Sequence, residues 1–429
     1  MKKIIASVGL FALGASSLNA VYGQEMVATT TKPWSISASL RGFYDDNINT
    51  APKNSGFSQE SFGYQINPGA ALNWQDDQTV LQAGYVYTLR WYDKKPFGNT
   101  SHYDQDHAFN GSLDHTFTER YRIGVTDSFV VGQEPDLLRS SQFLSDPQRV
   151  PGDNIRNNGT INFDAQLTPI FALELGYANS YYNYHDTTPF DQTGIPSLGA
   201  ELNRIENVVH LDGRFQLLPE TIGIIGYQYS QADYTGDDKI SVDQNTGFTL
   251  FSDSRNYRAN YGYVGVDQNF LPDLSGSLRV GLRDTDYYNS PSGGSHISPY
   301  VNASLKYNYT TESSAQVGFS YDRTATDIVA PFGTSVTLDQ EAAVIFANVN
   351  HRIFPKVYGT LTAQVQDATF NGGQFNNKSE QYYLIGLNFQ YRINPYLSTD
   401  IGYNYDKVQS EIGRTYDRNR VYIGLTASY

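Results

Sequence analysis

Two sets of charged residues in this sequence stand where charge could do chemistry. The first lies in the stretch 133–157, QEPDLLRSSQFLSDPQRVPGDNIRN, which shows no strand period and carries Glu134, Asp136, Arg139, Asp146, Arg149, Asp153 and Arg156. Acids and arginines that face one another across a narrow passage set up a transverse field, which sorts solutes by charge and dipole. A surface loop with solvated charges is the competing reading. The second set falls on the polar face of segments with a two-residue period: Arg41, Arg90, Arg279, Arg283, Arg418 and Arg420, joined by Arg122, Arg214, Lys306 and Arg392. Asp106, Asp164, Glu174, Glu206, Asp212, Asp322, Asp400 and Asp406 share that face, so pairing between strands is expected rather than a surface of one sign.

Phe43, Tyr300, Tyr358, Tyr382 and Tyr422 fall on the same polar face. Their rings could stack against the C–H faces of sugars, although a chain with 34 Tyr places some of them there by chance. Catalysis finds no constellation. His185 and Asp186 are neighbours, and neighbours on a strand point to opposite faces. The acidic pairs Asp45-Asp46 and Asp237-Asp238 read as loop and turn formers. His102, His107 and His115 lack the spacing of a metal site. No catalytic residue, metal site or cofactor is expected.

The elements that must position these residues are strands. In Asp417 to Tyr429 (DRNRVYIGLTASY), Val421, Ile423, Leu425, Ala427 and Tyr429 alternate with Arg420, Tyr422, Gly424, Thr426 and Ser428. In Ser61 to Trp74, Phe62, Tyr64, Ile66, Pro68, Ala70, Leu72 and Trp74 alternate with small or polar residues. Such alternation marks a strand with one apolar and one wet face. Tight turns recur at Asp76-Asp77, Thr118-Glu119, Thr168-Pro169, Pro219-Glu220, Pro272-Asp273, Thr311-Glu312, Pro355-Lys356 and Asn394-Pro395, and longer Gly-, Asn- and Asp-rich connections separate the hairpins.

This pattern predicts an all-β fold: a single transmembrane antiparallel up-and-down β-barrel of about 18 strands, with short periplasmic turns and long extracellular loops. The expected strands begin near Trp34, Glu60, Thr79, Asp104, Tyr121, Asn158, Phe171, Arg204, Thr221, Tyr257, Leu274, Ile297, Ser314, Gln340, Val357, Glu380, Tyr396 and Asp417. Two fit poorly. Tyr257 to Phe270 switches face around Val264, which predicts a bulge, and Asp104 to Thr116 turns His107 and His115 outward.

Composition agrees with an exported membrane barrel. Mean hydropathy is −0.46, and beyond the amino terminus no apolar run is long enough to cross a bilayer as a helix. Residues 1–23 have the layout of a cleaved signal peptide: Lys2 and Lys3, then Ile4 to Leu13, then small residues. Residues 24–33 read as a short periplasmic segment and 34–429 as the barrel. Removing the two signal lysines takes the formal charge from −14 to −16, so nucleic acid is not an expected partner. With no cysteine, the chain needs no disulfide framework.

Three stretches carry a family resemblance: Gly42-Phe43-Tyr44-Asp45-Asp46-Asn47-Ile48, Tyr87-Thr88-Leu89-Arg90-Trp91-Tyr92-Asp93, and Asp127-Ser128-Phe129-Val130-Val131-Gly132-Gln133-Glu134-Pro135. With them the chain resembles the putative beta-barrel porin-2 family of Gram-negative outer membranes, a family associated with exopolysaccharide gene clusters. The resemblance implies an integral outer-membrane protein that contacts lipid and is inserted by the barrel assembly machinery, with Leu425, Ala427 and Tyr429 as its terminal assembly signal. It also implies that 133–157, the third long loop, folds inward as a constriction. The leading expectation is a porin-like channel for passive diffusion of small hydrophilic solutes, saccharides among them. One alternative is the exit pore of an exopolysaccharide export system with periplasmic partners, and another is a structural or adhesive barrel with a closed lumen.

Overall fold

The computed structural model describes residues 32–52, 55–94, 101–133, 152–236, 238–291, 293–330 and 332–429. The expected signal peptide therefore lies outside the described residues. Eighteen antiparallel strands form one sheet that closes on itself. They are β1 (Trp34–Asp45), β2 (Ser61–Gln75), β3 (Thr79–Tyr92), β4 (Tyr103–Thr118), β5 (Tyr121–Gly132), β6 (Asn154–Thr168), β7 (Phe171–Tyr184), β8 (Arg204–Leu218) and β9 (Thr221–Tyr234). The series continues with β12 (Tyr257–Leu271), β13 (Leu274–Asp286), β14 (Ser295–Thr310), β15 (Ser313–Thr324), β16 (Asp339–Phe354), β17 (Val357–Asn371), β18 (Ser379–Asn394), β19 (Leu397–Ser410) and β20 (Tyr416–Ser428). Two short strands, β10 (Lys239–Val242) and β11 (Thr249–Phe251), form a separate hairpin that is not part of the barrel sheet.

Each strand pairs with its sequence neighbours, and the ends meet where β1 pairs with β20 from Ser37 opposite Ser428 to Asp45 opposite Arg420. A hydrocarbon environment offers backbone groups no partner, so an open edge there would leave a row of N–H and C=O groups unsatisfied. Closure removes that edge. The last residue extends the seam: Tyr429 N–H donates to the Ile36 carbonyl at 2.9 Å, and Ile36 N–H donates back at 3.3 Å.

Side chains divide by parity as the sequence pattern requires. In β20, Val421, Ile423 and Leu425 are exposed outward while Arg418, Arg420, Tyr422 and Gly424 are buried inward. In β2, Phe62, Tyr64, Ile66, Leu72 and Trp74 face out, and Gln65, Asn67 and Asn73 face in. The outward set forms the apolar band that lipid requires. At the rim carrying the termini, Trp34, Tyr396 and Tyr429 gather, with ring centroids 5.6 Å and 6.2 Å from Tyr429, and Lys32 Nζ lies 4.0 Å from that ring. Amphipathic rings of this kind suit a membrane–water boundary.

All eight tight turns sit at that same rim. Seven of their hairpins carry a register shift in the last step before the turn, as between Asn269 and Leu271. The bulge expected at Val264 is absent: Val264 pairs in unbroken register with Ile225 and with Val280. Tyr257, Ala259, Tyr261 and Tyr263 simply point inward, and Arg258 and Asn260 outward, because this part of β12 has a packed aromatic partner inside the barrel. His107 and His115 do face outward, where Nδ1 of each meets a hydroxyl, Tyr85 and Thr79 respectively, at 2.8 Å.

The outward apolar band yields a direct test. Leu425→Arg places a guanidinium on the lipid face of the closing strand and is expected to cost about 2–4 kcal/mol. Urea titration of the refolded barrel in lipid vesicles reads that loss, and a midpoint equal to wild type would count against this orientation of β20.

Candidate functional site

The barrel interior is lined by ion pairs between strands that are adjacent or two apart in the wall. Arg41 Nη2 meets Asp400 at 2.9 Å, Arg90 meets Asp106 at 2.5 Å, Arg279 meets Asp267 at 2.7 Å and Arg283 meets Asp322 at 3.3 Å. Arg418 and Arg420 share Asp45, at 2.6 Å and 2.9 Å, across the seam that closes the barrel. Arg214 joins Glu174 at 2.6 Å to Asp267 at 3.1 Å, so one acid serves two arginines. Arg41, Arg90, Arg279, Arg283, Arg418 and Arg420 are thus each buried and paired with a carboxylate. The sequence reading had placed Asp45 in a loop and had not singled out Asp267; both supply counter-charge on the wall.

Large inward side chains lie flat because a glycine sits opposite them. A Cβ at Gly63 would run into the Phe43 ring, at Gly226 into Tyr263 and Asp212, at Gly402 into the Tyr422 ring, and at Gly424 into Arg41 and Asp400. These glycines are cross-strand partners of the residues they receive, or one position away. The wall thus carries bulky arginine and tyrosine side chains without projecting them across the interior.

The expected stacking rings are mostly occupied by protein. Phe43 packs edge-on against Tyr92 at 5.5 Å beneath the Arg420 guanidinium, and Arg41 lies 4.8 Å over Tyr422. Tyr300 sits between Tyr261 and Tyr263, at 5.3 Å and 5.7 Å, and Tyr382 is fully buried. Tyr358 alone is half-buried, with Arg392 stacked at 4.0 Å and donating to its hydroxyl at 3.0 Å. Of the seven loop charges, Glu134, Asp136, Arg139, Asp146 and Arg149 lie outside the described residues. Asp153 accepts from Gln133 Nε2, and Arg156 belongs to the wall, because β6 starts at Asn154 and places this side chain inward and buried. Leu425 and Ala427 face outward, and Tyr429 ends the seam. Among the described residues no group of three His, Cys, Asp or Glu side chains could hold a metal ion.

Sequence reasoning missed that the described parts of three other long loops, 185–203, 235–256 and 325–338, fold onto the inner wall. Ala200, Ile240, Leu250, Ala325, Val329, Val336 and Leu338 from these loops join Ala232, Tyr257, Ala259, Tyr261, Tyr263 and Tyr300 of the wall in one apolar cluster. Their local structure is short: helices Phe190–Thr193 and Leu198–Leu202, the β10–β11 hairpin and a 3₁₀ turn at Ser252–Arg255. Ser197 caps the second helix by accepting from Ala200 N–H at 3.1 Å. Arg255, fully buried, ties the three together: it donates to the Glu201 carbonyl at 2.8 Å and to the Thr326 carbonyl, and its guanidinium lies 4.5 Å over Tyr234. Arg414, in the connection between β19 and β20, grips Asp327 with two bonds of 3.0 Å and Glu380 with bonds of 2.6 Å and 2.8 Å. No local motif announces these ties, although the run Ala325-Thr326-Asp327-Ile328-Val329-Ala330 is unusually apolar for an exposed loop.

Residues 34–429 match a family model described as "Putative beta-barrel porin 2". Among curated proteins none matches the chain. Solved structures similar to it include Pseudomonas aeruginosa OpdK with vanillate, at 12% identity and TM-score 0.46, covering 92% of this chain and 99% of that one. A BenF-like porin from Pseudomonas fluorescens Pf-5 has 12% identity and TM-score 0.47, covering 93% and 99%. OccAB3 from Acinetobacter baumannii has 12% identity and TM-score 0.44, covering 92% and 99%.

Two outcomes follow from the interior. Gly402→Val should force the Tyr422 ring off the wall and lower single-channel conductance in a planar bilayer; unchanged conductance would mean that the ring has room elsewhere. The second concerns Glu201, whose carboxyl burial pushes up to about 8, with Arg255 opposing and Asp327 adding to the shift. Below about 4.5, its ordinary value, the group is neutral whether the loop is packed or free; above it only the free loop releases the proton. Packing of 185–203 should therefore weaken as pH rises from about 4.5 to about 8, read as intrinsic-rate-corrected hydrogen exchange at 198–202, and Glu201→Gln should flatten the profile.

Proposed function

The chain belongs to the beta-barrel porin 2 family and is an integral outer-membrane barrel, and from that premise we propose that its interior passes small hydrophilic solutes, saccharides among them, by passive diffusion. The observation that carries this reading is the contrast between the two faces of one sheet: apolar outward, and ionic or amide inward on almost every strand. A barrel built only for adhesion has no need of a polar interior, since side chains could fill it as an apolar core. Family and wall support a channel rather than a catalyst, and neither favours an exopolysaccharide exit pore or a closed adhesive barrel.

Charge pairing shapes the expected selectivity. The guanidinium groups of Arg41, Arg90, Arg279, Arg283, Arg418 and Arg420 each have a carboxylate within contact, so this part of the described wall presents dipoles more than a net field. Solutes would be sorted chiefly by size and hydrogen bonding. We further propose that 133–157 contributes a constriction through Glu134, Asp136, Arg139, Asp146, Arg149 and Asp153, and that residues 1–23 are removed during export.

Planar bilayer recording of the purified protein tests the reading. Stepwise conductance with a reversal potential close to zero in a potassium chloride gradient is the expected result. A barrel that inserts but stays silent at every applied voltage would overturn it.

A further inference from the structure

We infer that the outer face of β5–β7 is a contact surface for a second copy of this chain, centred on Gly159, with Asp127 of each copy accepting from Tyr177 of the other. One carboxylate sits at an unusual depth. In strands that leave the short-turn rim, a charged or amide side chain first comes to the outer face ten residues after the strand begins: Gln231 in β9, Asp284 in β13, Asp367 in β17 and Lys407 in β19. In β5 it comes six residues after Tyr121, at Asp127, and the tenth position is Val131. Asp127 is exposed on the outer face, with Val125 below it and Phe129 above. At about 3.3 Å per residue it lies roughly 13 Å deeper along its strand than those four. At the same sixth position β3, β7, β9, β13, β15 and β19 present Tyr85, Tyr177, Tyr227, Val280, Phe319 and Tyr403. Asp127 is therefore a charge inside the apolar band, where hydrocarbon offers it no partner.

The wall around it is shaped for close approach. The cross-strand partners of Asp127 are both glycines, Gly111 in β4 and Gly159 in β6. Asn157 Nδ2 donates to its Oδ1 at 2.9 Å, and Oδ2 has no partner among the described residues. Beyond Gly159 lie Asn179 in β7 and Asn207 in β8, joined by a bond of 3.0 Å, and the hydroxyl of outward-facing Tyr177 donates to the same Asn207 oxygen at 2.8 Å. The bilayer fixes the depth of every copy, so an outward residue meets only what its neighbour carries at that depth. Two-fold symmetry, the commonest in homo-oligomers, sets one patch of both copies face to face. With the axis at Gly159, β5 of each copy faces β7 of the other, and Asp127 meets Tyr177, each six residues from the start of its strand. The Tyr177 hydroxyl then exchanges a neutral amide acceptor for a carboxylate, the stronger of the two hydrogen bonds. A lipid tail supplies no donor, whereas a second copy supplies one at the required depth.

The sequence has no cysteine, so single thiols report on single positions. Val125→Cys places one beside Asp127 on the outer face, and Ala363→Cys places one at the sixth position of β17, far round the wall. Each purified barrel is reconstituted at low density in phospholipid vesicles, checked for strand content by circular dichroism and treated with a membrane-permeant bismaleimide. Val125→Cys should yield covalent dimer and Ala363→Cys monomer. Added to Val125→Cys, Asp127→Leu and Tyr177→Phe should each weaken association about tenfold, the worth of one hydrogen bond to a charged group, and the two together no more than either alone. Equal cross-linking at the two cysteines, or none at either, overturns the contact. Undiminished cross-linking in both single variants, or losses that add in the double variant, overturns the bond between Asp127 and Tyr177.

Discussion

The seam between β1 and β20 is the contact on which everything else depends. In a hydrocarbon solvent an unpaired strand edge has nowhere to turn, so the chain must return after nearly four hundred residues to pair Asp45 with Arg420 and Ser37 with Ser428. That demand sets the even strand number and places the start of β1 and the end of β20 at the short-turn rim. It also brings Asp45 within reach of Arg418 and Arg420, so the ion cluster on the inner wall and the hydrogen-bonded seam reinforce one another. Removing one member of such a buried cluster leaves the others unpaired, which generally costs about 3–5 kcal/mol.

Once the sheet is closed, its two faces meet opposite solvents and take opposite solutions. Outside, isolated apolar side chains are satisfied by lipid and need no mutual fit. Inside, charges are tolerable because strands one or two positions away in the wall supply counter-charges, and because glycines such as Gly402 and Gly424 let long side chains lie along the wall. The mouth follows a third rule. Loops 185–203, 235–256 and 325–338 bury apolar residues against inward tyrosines, and two arginines, Arg255 and Arg414, hold them there through carbonyl and carboxylate groups. Packing of that kind is a small globular core grafted inside a membrane barrel.

Much of this was legible without coordinates, for local reasons. Alternation in β2 and β20 reports which face is wet, since the side-chain period of a strand is two whatever the strand pairs with. Pro219-Glu220, Pro272-Asp273 and Pro355-Lys356 reverse the chain through their own fixed dihedrals. The misreadings also have physical causes. At Val264 the strand looked as if it switched face, because a sequence cannot show that the cluster which the inward tyrosines of β12 need as a partner lies inside the barrel. Arg156 looked like a loop charge because, after Ile155, the outward positions Asn157 and Gly159 are polar or small, so the strand's start leaves little contrast to read.

What the sequence determined by itself was the number of strands, the positions of the turns, the lipid-facing band and the polar, mixed-charge character of the inner wall. Each depends on neighbours within a few residues, through the two-residue period and the chemistry of the reversals. Tertiary structure alone decided which acid meets which arginine, which rings have their faces covered, and which loops fill the mouth. Asp327 and Arg414 are eighty-seven positions apart, and Asp45 and Arg420 three hundred and seventy-five. Contacts at such separations leave no local period, because they are fixed only when the closed barrel brings the strands carrying them to one side of the same rim.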